Sequence, residues 1–331
     1  MMVVWRFLFV IGLSAAAQSW TPVESGTTAD LWSVAGNGSS AWVGGDKGTL
    51  LKTTDGGKTW RSVSPRGVAD VSFRDIEAID ERTVFLMSSG QGPQSRIYKT
   101  TDGGATWALL TTNLEPKGFW DCMGFWDATH GIIVGDPVDG RFTIMTTSDG
   151  ATWQKVKGPS ANKDEHALAA NGTCVFTRGT REVWFGTGSF GGARVLHSTD
   201  GGQTWSVATT PIRHNAEFAG ILSLWFFDAL HGVAVGGDHM KPDESAGTVA
   251  VTADGGKTWV TPPGPSPDGY RAAVWCRDAS DCTATGTSGS DFSSDGGRSW
   301  KKFSKEGYNA IGGFAVGMNG RIATLVPPAP H

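Results

Sequence analysis

The sequence has little of what marks nucleic-acid-binding, membrane-spanning or metal-binding proteins. Its 28 Lys and Arg are outnumbered by 32 Asp and Glu, and a net charge of −4 supplies no positive field for phosphate backbones. The apolar run near the start is too short to cross a bilayer as a helix, and no later stretch is long and apolar enough. None of the four cysteines forms a Cys-x-x-Cys pair, so zinc and thioredoxin chemistry are unsupported. We therefore expect no nucleic-acid partner, membrane span, metal or cofactor.

Glycine and tryptophan, in contrast, are abundant. The 331 residues include 47 Gly and 15 Trp, and 39% are hydrophobic. This composition is typical of a globular protein with many short strands and tight turns. Because a single all-β domain of this length is ordinary, we predict one.

The start of the chain has the three parts of an export signal. Residues 1–6 end in Arg6, residues 7–13 are apolar, and small residues follow up to Ala17. This arrangement predicts a signal peptide over residues 1–17, cleaved after Ala17, and a secreted or periplasmic protein. Residues 18–326 are then the folded domain, and residues 327–331 are a Pro-rich tail.

Export to an oxidising compartment would allow the cysteines to form disulfides. Cys276 and Cys282 flank a predicted turn at residues 278–281, which would set them on neighbouring strands, and we predict that they pair. Cys122 and Cys174 can pair only if their parts of the fold meet. Otherwise they are small buried apolar residues.

One motif recurs through the chain: Ser/Thr-x-Asp-x-Gly-x-Thr/Ser-Trp, which we call the Asp-box. Five copies are complete and the one around Asp149 lacks a glycine. The intervals between the box aspartates, 41 to 54 residues, are those of four-stranded propeller blades. The box residues are Asp55, Asp102, Asp149, Asp200, Asp254, Asp295, Trp60, Trp107, Trp153, Trp205, Trp259 and Trp300.

Turn chemistry explains the residues of the box. Its glycines permit positive φ, and the Asp carboxylate can accept backbone N–H bonds within the turn. The Trp re-enters a strand as a large wedge between blades. The aspartates are therefore predicted to be structural rather than catalytic. His130 and His231, each followed by Gly, occupy the same position in two repeats and are predicted to be turn residues.

The two ends of the domain complete the repeat count. Residues 308–325 contain two strand-like segments without a box, and residues 19–23 resemble the Trp and outer strand of a box with nothing before them. Joined, they would make a seventh blade and leave no free sheet edge. We predict an all-β, seven-bladed β-propeller of four-stranded antiparallel blades closed by its N-terminal strand. Six blades with two capping tails is the alternative.

The Asp-boxes are those of bacterial neuraminidase repeats, and two segments extend the likeness. Residues 125–135, Phe-Trp-Asp-Ala-Thr-His-Gly-Ile-Ile-Val-Gly, and residues 233–237, Val-Ala-Val-Gly-Gly, resemble the photosystem II stability and assembly factor family of propellers. The likeness spans nearly the whole domain but rests on repeat residues. It implies a binding or assembly scaffold for a protein partner or a polar or glycan ligand. We expect a monomer.

Glycoside hydrolases of the sialidase and xyloglucanase types also carry Asp-boxes, and they are the alternative function. A sialidase site needs three arginines, a Tyr nucleophile with a Glu, and an acid/base Asp. Only three tyrosines exist, and Tyr98 lies in a strand leading to a box. A pair of carboxylates chosen from Asp121, Glu165 and Glu217 remains possible.

Function in propellers usually lies in the loops of the rim opposite the boxes. The candidate ligand- or partner-binding residues there are Arg213, His214, Glu217, Tyr270, Arg271, Tyr308, Asp136, Asp139 and Asp238. The first five fall in two consecutive inter-blade segments and form the predicted recognition cluster. Asp136 and Asp139 supply too few oxygens for Ca²⁺. Asn171-Gly-Thr173 fits a glycosylation pattern, but we predict a turn there.

Overall fold

The computed structural model describes residues 18–37, 39–168 and 171–326. The predicted signal peptide and Pro-rich tail lie outside the described residues. Seven antiparallel sheets are arranged as blades around a central channel. No helix among the described residues is long and apolar enough to span a membrane.

The first three blades are regular four-stranded sheets, numbered here from the channel outward. Their strands are β2 Leu31–Asn37, β3 Ser40–Gly45, β4 Leu50–Thr53 and β5 Arg61–Ser62; β6 Phe73–Ala78, β7 Val84–Ser88, β8 Arg96–Thr100 and β9 Ala108–Thr112; β10 Trp120–Phe125, β11 Gly131–Val138, β12 Arg141–Thr147 and β13 Gln154–Val156.

The remaining blades follow the same order with local changes. Their strands are β15 Val175–Arg178, β16 Glu182–Gly186, β18 Arg194–Ser198 and β19 Ser206–Thr209; β20 Ala219–Phe226, β21 Gly232–Asp238 and β22 Val249–Thr252; β23 Ala273–Cys276, β24 Cys282–Gly286, β25 Gly289–Ser293 and β26 Lys301–Ser304; β27 Ala310–Ile311, β28 Phe314–Val316, β29 Ile322–Val326 and β1 Ser19–Val23. Single 3-10 turns, Gly92–Gln94 and Met318–Gly320, occur in two loops.

Blade five departs from the four-stranded pattern. Its outer strand is reduced to one bridge between Val251 and Val260, because four prolines between residues 262 and 267 remove backbone donors. At its inner edge two short strands, β14 Glu165–His166 and β17 Gly188–Ser189, extend the sheet to five strands in the order β14-β17-β20-β21-β22.

The N-terminal strand closes the ring, as the sequence predicts. β1 pairs antiparallel with β29 from Ser19↔Val326 to Val23↔Ile322 and forms the outer strand of the seventh blade. Trp20 fixes this strand: its ring lies 5.0 Å from that of Tyr308, and its Nε1 donates to Ser290 Oγ of blade six at 3.0 Å. The seven-bladed arrangement is confirmed and the six-bladed alternative is wrong.

The box around Asp55 shows how each copy makes its turn. Asp55 Oδ1 accepts the Thr59 N–H at 3.0 Å, and Oδ2 accepts the Thr59 hydroxyl at 2.6 Å. The Thr53 hydroxyl donates to Asp55 and accepts the Gly57 N–H. These hydrogen bonds, led by that of Thr59, lower the pKa of Asp55 to about 2. A Cβ at Gly57 would lie 2.4 Å from the Phe314 ring, so the close packing of the box on blade seven requires glycine.

The other five boxes repeat this network, and their tryptophans pack in the cores between blades. In each, the aspartate accepts the N–H and hydroxyl of the Thr or Ser that precedes the Trp. Trp60 meets Phe314 of blade seven edge-on at 5.3 Å, and Trp107 meets Trp42 of blade one at 6.0 Å. The carboxylates therefore have their hydrogen bonds within the turns.

Both pairs of cysteines form disulfides in the structure. Cys276 and Cys282 are direct partners in the β23–β24 ladder. Cys122 on β10 joins Cys174, at the entry to β15 of the next blade. The sequence left this second pair open because pairing depended on whether the two blades meet, and the ring makes them neighbours.

Candidate functional site: a funnel on the loop rim

The ring has two different rims. One, the box rim, carries the Asp-boxes and the turns between first and second strands, which are joined by bonds such as Gly56 N–H to Ser39 O at 3.0 Å. The other, the loop rim, carries the loops between second and third strands and the connections between blades. The loop rim opens into the funnel, a cavity of about 470 Å³.

The funnel is lined mainly by apolar and aromatic side chains, with acids and histidines between them. Its walls come from blades one, three and five and from the connections that flank blades four and five. The lining residues are Trp32, Phe119, Asp121, Asp136, His166, Ala167, Leu168, Glu217, Phe218, Leu222, His239 and Tyr270.

A β-bulge in several innermost strands supplies residues to the funnel. The register shifts by one residue between Leu31 and Ser33, Phe73 and Asp75, Trp120 and Cys122, and Ile221 and Ser223. The extra residues at these four bulges are Trp32, Arg74, Asp121 and Leu222. Three of them line the funnel. A bulge re-aims a side chain out of the regular alternation, which explains how these residues leave the blade cores.

Trp32 is held in place at the wall of the funnel. Its Nε1 donates to Asp46 Oδ1 at 2.9 Å, and the Arg74 guanidinium lies 3.8 Å from its ring centroid. Burial lowers the pKa of Arg74 from its usual value, yet a cation stacked on an aromatic face keeps its charge. The indole is therefore a rigid apolar surface that a ligand can contact.

The acids of the funnel differ in their surroundings. Asp121 is buried. Asp136 accepts the Ala167 N–H at 3.1 Å and lies 3.2 Å from His166 Nδ1. The bond to Asp136 raises the pKa of His166 above its usual value. Glu217 is exposed at the mouth. Three carboxyl groups and two histidines therefore line the funnel.

The described parts of the connection between blades three and four, on either side of residues 169–170, contact several blades and supply His166, Ala167 and Leu168 to the funnel. Leu168 packs against the glycines that join β17 to β20. Asn171 donates from its amide to Ala272 O of blade six and, at 3.5 Å, to Asn309 O of blade seven. Thr173 O accepts the Leu224 N–H of blade five, and Cys174 is bonded to blade three. Asn171 is buried, and the chain bends there as predicted: Gly172 has φ of 72°, and Asn171 Oδ1 accepts the Thr173 N–H at 3.3 Å.

The structure brings four of the predicted site residues together in the funnel: Asp121, Asp136, Glu217 and Tyr270. Burial raises the pKa of Tyr270. The rings of Tyr270 and His239 pack edge-on in the funnel wall, with 5.4 Å between their centroids. Arg213 lies nearby on the rim but is paired with Glu244 at 2.7 Å. His214 is half-buried next to it. Binding roles for these residues stay predictions.

Five predicted residues lie elsewhere. Arg271 is fully buried in an ion pair with Asp291, and Glu165 is buried in an ion pair with Arg194, so neither side chain is accessible. Asp238 is buried and accepts the Met240 N–H at 2.9 Å. Tyr308 packs against Trp20 in blade seven, and Asp139 is an exposed turn residue with φ of 52°. Inter-blade position alone does not distinguish accessible polar residues from those paired inside a blade.

Sequence reasoning missed the apolar half of the funnel, namely Trp32, Phe119, Leu168, Phe218 and Leu222. For two of them a signal existed. Trp32 and Leu222 each stand between an apolar residue and a Ser at the start of an innermost strand, in Leu31-Trp-Ser33 and Ile221-Leu-Ser223. Comparing repeats at this position would have identified an extra residue that breaks the alternation.

Comparisons with known proteins agree with this architecture. A family model described as photosynthesis system II assembly factor YCF48 matches residues 17–115, and a BNR/Asp-box repeat model matches residues 196–207. No curated protein matches the sequence. The family resemblance stated from the sequence is confirmed over this part of the chain.

Solved structures extend the likeness to the whole ring. "YCF48 bound to D1 peptide" aligns with a TM-score of 0.66 at 16% identity, covering 93% of this chain and 94% of that one. An ancestral GH74 enzyme gives 0.58 at 16% identity, covering 87% and 40%. The GH74 xyloglucanase of Xanthomonas campestris gives 0.50 at 12%, covering 82% and 51%, so the chain spans about half the length of these enzymes or less. At such identities these matches establish the fold.

Proposed function

We propose that this propeller is a scaffold that binds a segment of a partner protein in the funnel of its loop rim. The observation that carries the proposal is the lining of that cavity: rigid aromatic and aliphatic surfaces with carboxylates set among them. Buried aromatic anchors ringed by polar groups are typical of protein-recognition sites. The similar propeller YCF48 has been solved bound to a D1 peptide, which supports a peptide as the occupant.

Exposed apolar residues continue the funnel onto the surface. Phe218 is 48% exposed, Phe190 57% and Met240 69%, and all three lie on the loop rim of blades four and five. Phe190 follows Ser189, whose hydroxyl donates to Glu217 O at 3.0 Å. Since apolar side chains of this size are costly to leave in water, a surface that groups them favours a protein ligand over a sugar. The acids favour a segment with Lys or Arg beside apolar residues.

The proposal includes export and a monomeric state. Two disulfides and the predicted signal peptide support a secreted or periplasmic location. β1 covers the edge of β29, so this strand is not left free to pair with a second copy.

Glycoside hydrolysis is the second candidate. Asp121 and Glu217 line the same cavity, and two carboxylates are the minimum for this chemistry. Glu165 is poorly placed to act as a catalytic acid or base, because its carboxylate is held by Arg194 and the Thr187 hydroxyl. The likeness to GH74 enzymes is one of fold and gives no support to particular residues.

A displayed library of random peptides tests the proposal. We expect selection on the disulfide-bonded protein to enrich peptides with a basic residue next to an aromatic or large aliphatic one. Phe218→Ala and Glu217→Gln should each raise the Kd for the enriched peptides by more than about tenfold, as loss of a central anchor does. Leu230→Ala is the matched control, because Leu230 is 52% exposed but lies on the box rim.

Two results would overturn the proposal. One is equal binding of the selected peptides by all three variants, which would mean that the peptides bind outside the funnel. The other is turnover of sialosides or β-glucans that is lost in Glu217→Gln or Asp121→Asn, which would make the protein a hydrolase.

A further inference from the structure

A groove between neighbouring blades opens on the box rim, and one residue of each repeat decides whether it is filled. That residue stands three positions before the box aspartate and is paired across the sheet with the second strand of its blade. In the six boxes it is Lys52, Lys99, Thr146, His197, Val251 and Phe292.

In blades one and two a lysine fills the groove. Lys52 lies over the Trp42 ring, 4.2 Å from its centroid, and its Nζ donates to Gly103 O of the next box at 3.0 Å. Lys99 does the same in the next blade: its Nζ lies 4.8 Å from the Phe85 centroid and donates to Gly150 O at 3.0 Å. The groove therefore accepts an ammonium on an aliphatic stem, with a backbone carbonyl of the neighbouring box as its partner.

Aromatic residues fill two other grooves. His197 stacks on Trp184 at 4.4 Å, and the Trp184 Nε1 donates to Gly255 O of the next box at 2.9 Å. Phe292 fills the groove of blade six and leaves a cavity of only about 20 Å³ there.

In blades three and five the side chain is too short to fill the groove. Thr146 lines a cavity of about 240 Å³ and Val251 one of about 470 Å³. The difference is visible at the box glycines. A Cβ built on Gly103 or Gly150 would lie 3.1 Å from the lysine Nζ, whereas one built on Gly201 meets no described atom within 4 Å. At Gly201 the position that a lysine ammonium occupies in blades one and two is therefore open. A Cβ built on Gly296 would lie 2.8 Å from Ala279 O and 3.7 Å from the Phe227 ring, and no ammonium lies nearer.

The two open grooves share two further kinds of residue. Each has an aromatic wall, Trp126 in blade three and Phe227 in blade five. Each also has a histidine on its lining, His130 or His231, whose Nδ1 lies 2.9 Å from an Asp carboxylate three residues earlier. The sequence predicts these histidines as turn residues. They do sit in turns, but in both blades they also face the cavity.

An ammonium would find suitable partners in either groove. The aromatic wall supplies a cation–π surface. A neutral histidine that donates Nδ1–H to a carboxylate has Nε2 as an acceptor. The box carboxylates Asp200 and Asp295 also line the cavities. Arg181 and Arg298 are on the linings as well, just as Lys52 sits among Arg61 and Glu81 in its own groove.

We propose that the grooves of blades three and five are lysine slots: each binds a lysine side chain of a partner protein in the place that the chain's own Lys52 and Lys99 occupy in blades one and two. The stem lies along Trp126 or Phe227, and the ammonium bonds the box carbonyl of Gly201 or Gly296. These slots are on the rim opposite the funnel, so the proposal stands apart from the proposed function.

Residue-resolved NMR with a small probe tests the slots. Nα-acetyl-lysine methylamide should shift the amides of Gly201 and Gly296 in the native protein. The matched norleucine compound, which keeps the stem and lacks the ammonium, should bind with about tenfold higher Kd. Equal effects of the two compounds, or shifts confined to other residues, would overturn the proposal.

Filling each slot from within provides the blocking experiment. Thr146→Lys should abolish the probe's shift at Gly201 and leave that at Gly296, and Val251→Lys should do the reverse. Thr146→Met is the uncharged control of similar length. Lys52→Ala should open a third slot and bring Gly103 into the set of shifted amides. A shift of the Gly201 amide that survives Thr146→Lys would contradict the proposal. Glu217→Gln, in the funnel, should leave the probe's shifts at Gly201 and Gly296 unchanged.

Discussion

Individual residues fasten the inter-blade connections to the blades. Arg271, in the connection before blade six, pairs with Asp291 of β25, where its Nε donates at 2.6 Å. Arg194 of β18 donates to Glu165, in the connection before blade four, at 2.7 Å. Because charges buried without a partner are costly, each pair fixes its connection at one place on the blade. The rim loops are thus held by interior contacts.

Removing one partner of the fully buried pair should destabilise the protein strongly. Asp291→Asn keeps the size of the side chain but leaves the Arg271 guanidinium uncompensated, and we expect a loss of about 3–5 kcal/mol in the free energy of unfolding. Asp268→Asn breaks only the exposed ion pair with Lys302 and should cost less than about 1 kcal/mol. Urea unfolding of both variants makes the comparison. Similar losses would mean that the buried pair is not what holds this connection.

A buried carboxyl in blade two should make stability depend on pH. Asp75 is fully buried on β6, where its Oδ2 accepts the Met123 N–H of blade three at 2.7 Å. Burial raises the pKa of Asp75 to about 7, and desolvation also raises that of nearby Glu77. A pKa raised on folding contributes stability that is present below the unfolded value near 3.8 and lost as the pH rises through about 7.

We therefore expect the urea midpoint to be lower at pH 8 than at pH 5, and Asp75→Asn to reduce that difference. Asn keeps an acceptor for the Met123 N–H and carries no charge. Asp80→Asn is the control: hydrogen bonds from Thr83 and Arg82 lower the pKa of this exposed aspartate, so it is ionised at both pH values. An unchanged pH dependence in Asp75→Asn would exclude Asp75 as its source.

At the scale of elements, the blades are repeats of one hairpin design, and the connections between them differ. Each box turn makes its own hydrogen bonds and docks on the neighbouring turn of the box rim, so it can form wherever the motif occurs. The connection between blades three and four contacts blades five, six and seven and is tied to blade three by Cys122–Cys174. Variation in the connections, together with the bulged residues of the innermost strands, produces the funnel.

The two disulfides should therefore contribute unequally to stability. The Cys122–Cys174 loop spans 52 residues and the Cys276–Cys282 loop spans 6. Closing the longer loop removes more entropy from the unfolded chain, about 4 kcal/mol against about 2 kcal/mol. Replacing both cysteines of each pair by Ser and measuring unfolding by urea tests the order. A larger loss for the Cys276–Cys282 variant would contradict it.

At the scale of the whole molecule, the ring closes where β1, near one end of the folded domain, pairs with β29, near the other. β1 supplies the outer strand of blade seven, and Trp20 reaches Phe303 of blade six at 5.6 Å between ring centroids. The stability of the ring thus depends on a five-residue strand, and the next strand along the chain, β2, lies in blade one.

Removing that strand should open the ring. A chain that starts after Val23 loses the partner of β29 and exposes an edge that can pair with another copy. We expect a lower Tm and concentration-dependent association, measured by thermal unfolding and by light scattering. Trp20→Phe keeps the strand and most of its packing, so its Tm should lie between those of the truncated and full-length proteins. Equal Tm for the truncated and full-length proteins would mean that β1 does not close the ring.

The sequence by itself determined the number of blades, their order and the closing strand. These follow from turn chemistry that acts within eight residues, repeated at a regular interval, and from two incomplete units that complement each other. The role of the box aspartates could be anticipated for the same reason, since their partners are four residues away or fewer.

Only the tertiary structure decided which rim residues meet and which are accessible. Arg271 and Tyr270 are adjacent in sequence, yet one is sealed against Asp291 and the other faces the funnel. Trp32 and Phe218 line one cavity although 186 positions separate them. Such contacts depend on the lengths and paths of the connections, which follow no repeat. Local pattern therefore specifies the ring, and long-range packing specifies its site.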